Sequence, residues 1–130
     1  MDLKLDGKTA LITGASMGIG EHIARTLANE GVHLHLTARS EDKLEILKAQ
    51  ITESSNISVT LHPLDLTSKG ASERLAQITD NIDILVNNAG AIPSGDLWDV
   101  DETAWRAGFD LKVFGYINMC RQFYRKMKDA

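Results

Sequence analysis

Short apolar runs alternate with longer amphipathic stretches along this chain of 130 residues. Four of the runs have the length and composition of buried β-strands, and we predict strands at Thr9–Thr13, Val32–Thr37, Ile57–Leu61 and Ile82–Val86. The first run is apolar without alternation, as in a strand that is covered on both faces. Strands that are separated by helices form right-handed βαβ units, so the pattern predicts an α/β fold on a parallel sheet.

The stretches between the predicted strands carry the spacing and end signals of amphipathic helices. The first helix follows Gly20 and stops at Gly31, the second is capped by Ser40, and the third comes after Thr67. Apolar residues at helical spacing mark the inward faces of these three helices: Ile23, Ala24, Leu27, Ala28, Leu44, Leu47, Ile51, Ala71, Leu75 and Ile78.

The last amphipathic stretch predicts one long helix, which Asp101 caps and which ends near Lys128. Its apolar positions recur every three or four residues, at Trp105, Phe109, Val113, Ile117, Cys120, Tyr124 and Met127. We call these residues the apolar stripe. A stripe of this length requires a partner surface.

Composition narrows the class of protein. The chain is 43% hydrophobic and 25% charged, as in soluble globular proteins, and its length fits one domain over residues 1–130. A formal net charge of -4 without a basic tract argues against nucleic acid as a partner. No apolar run approaches the roughly 20 residues that cross a bilayer, and the start, MDLKLDGK, is no signal-peptide core. We therefore expect a cytoplasmic protein without a membrane contact.

Cysteine and histidine usage argues against a metal site. Cys120 is the single cysteine and cannot form an internal disulfide. The four histidines show no ligand-like clustering with it, so we expect no bound metal.

A glycine-rich turn joins the first strand to the first helix, with the sequence Thr13-Gly14-Ala15-Ser16-Met17-Gly18-Ile19-Gly20. Gly14 permits the turn, Gly18 allows a pyrophosphate to approach the backbone, and Gly20 allows the helix to pack against the strand. The turn therefore predicts a dinucleotide site, although a turn that merely connects two elements is the plainer alternative. Its G-x-x-x-G-x-G spacing differs from the common G-x-G-x-x-G fingerprint.

The end of the second strand bears on the choice between NAD and NADP. An NAD site usually has an acidic residue about 20 residues past the glycines, but Ala38 and Arg39 stand there. The Arg39 guanidinium would attract a 2′-phosphate, and Ser40 could add a hydrogen bond, so we expect NADP. In the alternative interpretation, Arg39 is a solvated residue that pairs with Glu41 or Asp42.

Two further polar segments follow strands at the sheet edge where open α/β folds bind ligands. The third strand runs into His62-Pro63-Leu64-Asp65-Leu66 and the fourth into Asn87-Asn88-Ala89-Gly90. Together with the glycine turn, these motifs have the order and spacing of the short-chain dehydrogenase/reductase family, which the chain resembles over all 130 residues. The resemblance implies a Rossmann-like, doubly wound parallel sheet.

The resemblance also assigns roles to the motif residues. It implies that Gly14, Ser16, Met17 and Ile19 line the cofactor phosphates and the nicotinamide side. Asp65 and Leu66 would hold the adenine, and Asn88, Ala89 and Gly90 would border the ribose. Asp65 can also serve as a helix-capping acid, and Asn87 and Asn88 as turn-forming amides, and both kinds of role can hold at once.

The chain departs from the family pattern in its catalytic residues. The resemblance places a catalytic Ser and a Tyr-x-x-x-Lys in a further C-terminal half that lies beyond residue 130. A literal Tyr-x-x-x-Lys runs from Tyr124 to Lys128, but the family spacing would put the Ser at Leu111, so we reject it as catalytic. Lys112 aligns with a position where the family often carries an active-site Asn, and it is either a site residue or an exposed helix lysine.

The resulting hypothesis is that these residues are the cofactor-binding part of an NADP-dependent oxidoreductase. Such an enzyme transfers a hydride between the nicotinamide and a carbonyl or alcohol substrate. The resemblance and the apolar stripe imply a homo-oligomer through helix 101–128. The fourth strand would form an open apolar edge that invites pairing. A non-catalytic dinucleotide-binding or partner-binding module is the alternative, and a methyltransferase is less favoured because S-adenosylmethionine has no pyrophosphate.

Overall fold

A parallel sheet of four strands forms the centre of the computed structural model, which describes all 130 residues. The strands are β1 (Thr9–Thr13), β2 (His33–Ala38), β3 (Val59–Pro63) and β4 (Ile84–Val86). They lie in the order β3-β2-β1-β4 and all pair in parallel. The α/β, Rossmann-like class predicted from the sequence is confirmed, and β4 forms an open edge.

Three of the four strands have limits that differ from the prediction. β1 begins and ends as predicted, β2 lies one residue later at both ends and β3 two residues later. β4 begins at Ile84 instead of Ile82. Just before it, Asp83 bonds to Thr9 through its backbone N–H and also accepts the Thr9 N–H with its carboxylate, both at 2.9 Å. At that point the Asp83 carboxylate, and not a backbone carbonyl, accepts the Thr9 N–H.

The three helices between the strands are α1 (Gly18–Asn29), α2 (Glu41–Ser54) and α3 (Ala71–Ile78). α1 begins inside the glycine turn, at Gly18, three residues before the predicted start. Ser40 caps α2 as predicted, accepting the Lys43 N–H at 3.3 Å. The prediction of an inward Ile78 is wrong, because α3 ends there and leaves the side chain 61% exposed. Thr79 is buried instead and donates its hydroxyl to the Leu75 carbonyl.

Helices cover both faces of the sheet, and each face has its own core. On one face, β1 and β2 pack against α1 and α2 through Ala10, Ile12, Leu34, Leu36, Ala24, Ala28, Leu44, Leu47 and Ile51. On the other face, Leu11 packs with Leu75 of α3 and with the last helix. This covering of both faces explains why β1 reads as a continuous apolar run.

The prediction of one uninterrupted helix after Asp101 is wrong. The segment consists of α4 (Glu102–Phe109), a π-helical turn (Asp110–Phe114) and α5 (Gly115–Lys128). The cap is as predicted, since Asp101 accepts the Ala104 N–H at 2.9 Å. No helix in the structure combines the length and the apolar character that crossing a membrane requires.

The π turn changes which face of α5 meets the sheet. A π turn holds an extra residue, which rotates everything after it by about 100° relative to a continuous α-helix. Gly115, Met119 and Phe123 are buried against the sheet. Much of the apolar stripe is left on the surface, with Phe109 52%, Ile117 47% and Tyr124 68% exposed. α5 is therefore apolar on two faces, of which this chain covers one.

Adjacent aromatic residues on α5 test this orientation. Phe123→Ala should lower the free energy of unfolding by about 3–5 kcal/mol, because it opens a cavity in a fully buried position. Tyr124→Ala should change it by no more than about 0.5 kcal/mol. Urea unfolding followed by circular dichroism measures both values. Equal losses, or a larger loss for Tyr124→Ala, would show that the apolar stripe is the buried face.

Candidate functional site

Two glycines let the turn after β1 fold tightly against the end of β4. Gly14 has φ +64°, and a Cβ there would lie 2.8 Å from Ala89 Cα, closer than real contacts allow. A Cβ on Gly20 would overlap the Gly14 carbonyl oxygen and lie 2.5 Å from Asn88 Nδ2. In the native structure, Asn88 Nδ2 donates to the Gly14 carbonyl at 3.1 Å. Side chains at these two positions would push the turn and the β4 end apart.

The N-terminus of α1 is left open by the same turn. Met17 is its N-cap residue, and no side chain accepts a hydrogen bond from the helix start. The first hydrogen bond of the helix runs from the Glu21 N–H to the Met17 carbonyl. The N–H groups of Gly18, Ile19 and Gly20 therefore have no partner within the helix. Gly18 has φ +58°, and a Cβ there would meet nothing within 4 Å. Unpaired amides, a positive helix end and open space fit an anion such as a pyrophosphate.

The remaining predicted turn residues border this opening. The Met17 and Ile19 side chains are 59% and 72% exposed, although both are apolar. The Ser16 hydroxyl is half-buried, and no residue of the chain forms a hydrogen bond with it. All three are thus available to a ligand at the α1 N-terminus.

Thr13 joins the turn to the end of β4, a role that the sequence analysis missed. Its buried hydroxyl accepts the N–H groups of Asn88 and Ala89, both at 2.9 Å, and donates to the Val86 carbonyl at 3.3 Å. One side chain thus satisfies three backbone groups at the end of β4. A buried Thr as the last residue of a strand is the signal for such a bond, but its partners lie more than 70 residues away.

The end of β2 presents a free guanidinium. Arg39 is exposed and lies within 4.0 Å of no carboxylate, so the alternative in which it pairs with Glu41 or Asp42 is not seen. The Ser40 hydroxyl accepts from Lys43 as the α2 cap and keeps its own proton for a further acceptor.

Asp65 closes a turn after β3. Its Oδ1 accepts the Thr67 hydroxyl at 2.7 Å and the Thr67 N–H at 2.9 Å. These hydrogen bonds, with a smaller contribution from the Arg39 charge, lower the pKa of Asp65. Asp65 is therefore a turn residue as well as a carboxylate at the site, but no helix begins at Thr67, because α3 starts at Ala71. Leu66 is partly buried and packs against the second core.

A histidine pair lies behind the ends of β2 and β3. His35 Nδ1 and His62 Nε2 are 2.8 Å apart, and the two rings are nearly parallel. Burial lowers the pKa of both histidines. At His35, the Asp80 charge raises the pKa and the Lys126 charge lowers it further. At His62, the neighbouring His35 lowers the pKa further. Both rings are thus held neutral at pH 7 with one N–H shared between them.

The end of β4 completes the carboxyl edge of the sheet. Ala89 is buried, whereas Gly90 is exposed, with the aliphatic chain of Lys112 beside it. The Asn87 side chain points toward α5, where its Nδ2 donates to Cys120 Sγ at 3.2 Å. Its buried Oδ1 has no hydrogen-bond partner. The sheet thus brings the predicted residues together along one edge, from Asp65 through the glycine turn to Gly90.

Tyr124 and Lys128 lie away from that edge. Two residues after Tyr124, Lys126 Nζ donates to the Ala76 and Thr79 carbonyls at 2.6 and 2.5 Å. These carbonyls precede β4 and so lie at the amino edge of the sheet. The rejection of this Tyr-x-x-x-Lys as catalytic stays a prediction.

No group of three or more His, Cys, Asp or Glu side chains is close enough to hold a metal ion. The predicted site residues offer backbone amides, the Arg39 guanidinium, the Ser16 and Ser40 hydroxyls, the Asp65 carboxylate and apolar surface.

Comparisons with known proteins agree with this geometry. A family model described as short chain dehydrogenase matches residues 8–130. An uncharacterized oxidoreductase of Staphylococcus saprophyticus is 38% identical over 117 residues, which are 87% of this chain and 50% of that protein.

Solved structures give the same result. L-sorbose reductase from Gluconobacter frateurii, complexed with NADPH and L-sorbose, superposes with a TM-score of 0.91 at 29% identity, covering 99% of this chain and 51% of that one. An alcohol dehydrogenase from Thermococcus sibiricus, complexed with 5-hydroxy-NADP, gives a TM-score of 0.85 at 32% identity, covering 94% and 54%. The chain thus spans about half the length of the relatives it matches.

The Thr13 hydroxyl can be tested by a change that keeps the side-chain shape. Thr13→Val should lower the free energy of unfolding by roughly 2 kcal/mol or more, because it leaves the Asn88 and Ala89 amides without an acceptor. Thr13→Ser keeps the hydroxyl and should cost roughly 1 kcal/mol. Urea unfolding gives both values. A Thr13→Ser variant as unstable as Thr13→Val would show that the hydroxyl does not hold the two segments together.

The histidine pair should make stability depend on pH. Because the folded-state pKa of each ring is lowered from 6.5, the stabilisation is complete above pH 6.5 and is lost as the pH falls through the lowered pKa. Urea unfolding between pH 7.5 and 5 should show this loss, and the His35→Gln/His62→Gln double variant should reduce it.

The exposed His22 provides the control for this experiment. His22→Gln should leave the pH dependence unchanged, because the His22 side chain is exposed and takes part in no hydrogen bond. An unfolding free energy that is constant from pH 7.5 to 5 in the unmodified protein would contradict the assignment.

Proposed function

The chain belongs to the short-chain dehydrogenase family, and from this we propose that it is the cofactor-binding part of an NADP-dependent oxidoreductase. The named relatives are oxidoreductases and dehydrogenases, so oxidoreductase chemistry follows from family membership. The preference for NADP, the substrate class and the roles of individual residues are our proposals.

One observation carries the proposal: the open N-terminus of α1. No side chain caps its amides, a Cβ on Gly18 would meet nothing within 4 Å, and Gly14 and Gly20 keep the surrounding backbone close. A pyrophosphate there would accept hydrogen bonds from the amides after Met17 and would gain from the helix dipole. Ser16 could donate a further hydrogen bond from its free hydroxyl.

Strand order supports the position of the rest of the cofactor. The chain leaves β1 toward β2 and β3 on one side, while β4 lies on the other, which makes the end of β1 a topological switch point. Dinucleotides bind across such a point. We assign the adenosine to the β2 and β3 ends, near Arg39, Asp65 and Leu66, and the second nucleoside to Asn88, Ala89 and Gly90 at the end of β4.

Arg39 supports NADP in preference to NAD. Its guanidinium is exposed and free of carboxylates, and no acidic side chain occupies the end of β2 to bind a ribose diol. A 2′-phosphate would pair with this charge, and Ser40 could donate to the same group. The names of two solved neighbours include NADPH or a modified NADP, which is consistent with this choice.

The nicotinamide would supply the hydride chemistry, with a carbonyl or alcohol carbon as the other partner. Within residues 1–130, which we regard as the N-terminal part of a single domain, the literal Tyr124–Lys128 motif lies away from the carboxyl edge, and the catalytic Ser and Tyr-x-x-x-Lys that the resemblance implies have no counterpart there. These residues should therefore bind the cofactor without turning over a substrate. A non-catalytic dinucleotide-binding module would give the same binding behaviour.

The exposed surface supports two further proposals. Phe109, Ile117 and Tyr124 present apolar area on the helices after Asp101, which suits a homo-oligomer contact through helix 101–128. A single unpaired cysteine suits a reducing compartment such as the cytoplasm.

Titration of the unmodified protein with NADPH and NADH tests the cofactor proposal. NADPH should bind more tightly, and Arg39→Gln should weaken NADPH binding by about 10- to 100-fold while leaving NADH binding unchanged, because only the 2′-phosphate pairs with the guanidinium. Isothermal titration calorimetry measures these affinities. Arg125→Gln, on the exposed end of α5, makes the same charge change away from the site and should have no effect.

Two results would contradict the proposal. Equal affinities for NADPH and NADH in the unmodified protein would remove the role of Arg39. Absence of binding by both cofactors would remove the dinucleotide site itself.

A further inference from the structure

The π turn between α4 and α5 lies next to the candidate cofactor site. It covers Asp110–Phe114 and holds Lys112 at its centre. π turns are rare, occur mostly as single turns inside α-helices and are frequent at functional sites. Here the turn places the Lys112 side chain against Gly90, at the carboxyl edge of the sheet.

The contact with Gly90 is specific in its geometry. A Cβ built on Gly90 would lie 3.6 Å from Lys112 Cδ and 3.7 Å from Lys112 Nζ. The end of the lysine side chain therefore lies beside the exposed backbone of Gly90, which brings the ammonium group to the end of β4.

The ammonium group has no anionic partner in the chain. No carboxylate lies within 4.0 Å of Lys112 Nζ, and no carbonyl or hydroxyl accepts a hydrogen bond from it. Its one aromatic neighbour is Tyr116, whose ring centroid is 5.9 Å away. By contrast, Lys126 on the same helical segment donates to three backbone carbonyls. Lys112 thus has three hydrogen-bond donors available at the candidate site.

We propose that Lys112 binds the second nucleoside of the dinucleotide, donating hydrogen bonds from its ammonium group to the ribose hydroxyls beside Gly90. This inference rests on the proposed function, which assigns that nucleoside to the β4 end. Ribose hydroxyls are acceptors that an ammonium group can bind, and the position lies on the opposite side of the α1 N-terminus from Arg39. The two cations would then hold the two ends of one cofactor.

Two ligands separate the two ends of the site. NADPH carries both nucleosides, whereas 2′,5′-ADP has the adenosine, the 2′-phosphate and one 5′-phosphate but lacks the second nucleoside. Lys112→Met should weaken NADPH binding by about 10-fold, because charge-assisted hydrogen bonds are lost, and should leave 2′,5′-ADP binding unchanged. Arg39→Gln should weaken the binding of both ligands. Isothermal titration calorimetry on the 130-residue chain measures all four affinities.

Control variants separate a specific contact from a general effect of charge or folding. Lys128→Met removes the same charge from an exposed position near the end of α5 and should leave both affinities unchanged. Lys112→Arg keeps the cation and should restore part of the NADPH affinity. Thermal unfolding of Lys112→Met should match that of the unmodified protein, since the side chain is exposed.

The possible failures are distinguishable. Unchanged NADPH affinity in Lys112→Met would overturn the inference and leave the cofactor site intact. Equal losses for NADPH and 2′,5′-ADP would overturn it too, because they would indicate a diffuse effect of charge. If neither ligand bound the unmodified protein, the proposed function itself would fail.

Discussion

The contact between the glycine turn and the end of β4 is the constraint on which the site depends. Gly14 and Gly20 allow the two segments to approach to distances that any side chain would prevent, and the Thr13 hydroxyl satisfies the amides that this approach buries. Because β1 and β4 are neighbours in the sheet, the same contact fixes the N-terminus of α1 relative to Asn88–Gly90. The opening for an anion is thus a product of close backbone packing.

Positively charged groups lie on both sides of that opening along the carboxyl edge of the sheet. The amides of α1 are central, with Arg39 at the end of β2 on one side and Lys112 beside Gly90 on the other, and neither cation is paired with a carboxylate. The apolar side chains of Met17 and Ile19 are exposed between them. In a protein whose formal net charge is -4, unpaired cations at one edge mark the surface that an anionic dinucleotide would meet.

Local signals in the sequence predicted most of the fold. The limits of β1, the caps at Ser40 and Asp101 and the glycine turn each depend on a few consecutive residues. Features that depend on distant partners were not predicted. The Thr13 bonds span more than 70 residues, the His35–His62 pair requires the register of β2 and β3, and α5 has two apolar faces between which periodicity cannot choose. The apolar spacing of the helix gave no sign of the π turn. The position of the Lys112 side chain beside Gly90 was therefore not predicted.

Backbone amide resonances of the α1 N-terminus give the most direct test of the central claim. In a ¹H–¹⁵N correlation spectrum of the 130-residue chain titrated with NADPH, the amides of Gly18, Ile19 and Gly20 should shift downfield the most, because they would donate to the pyrophosphate. Inorganic pyrophosphate alone should shift the same amides at higher concentration. Saturable binding of NADPH that leaves these three resonances unchanged would show that the helix N-terminus is not the site.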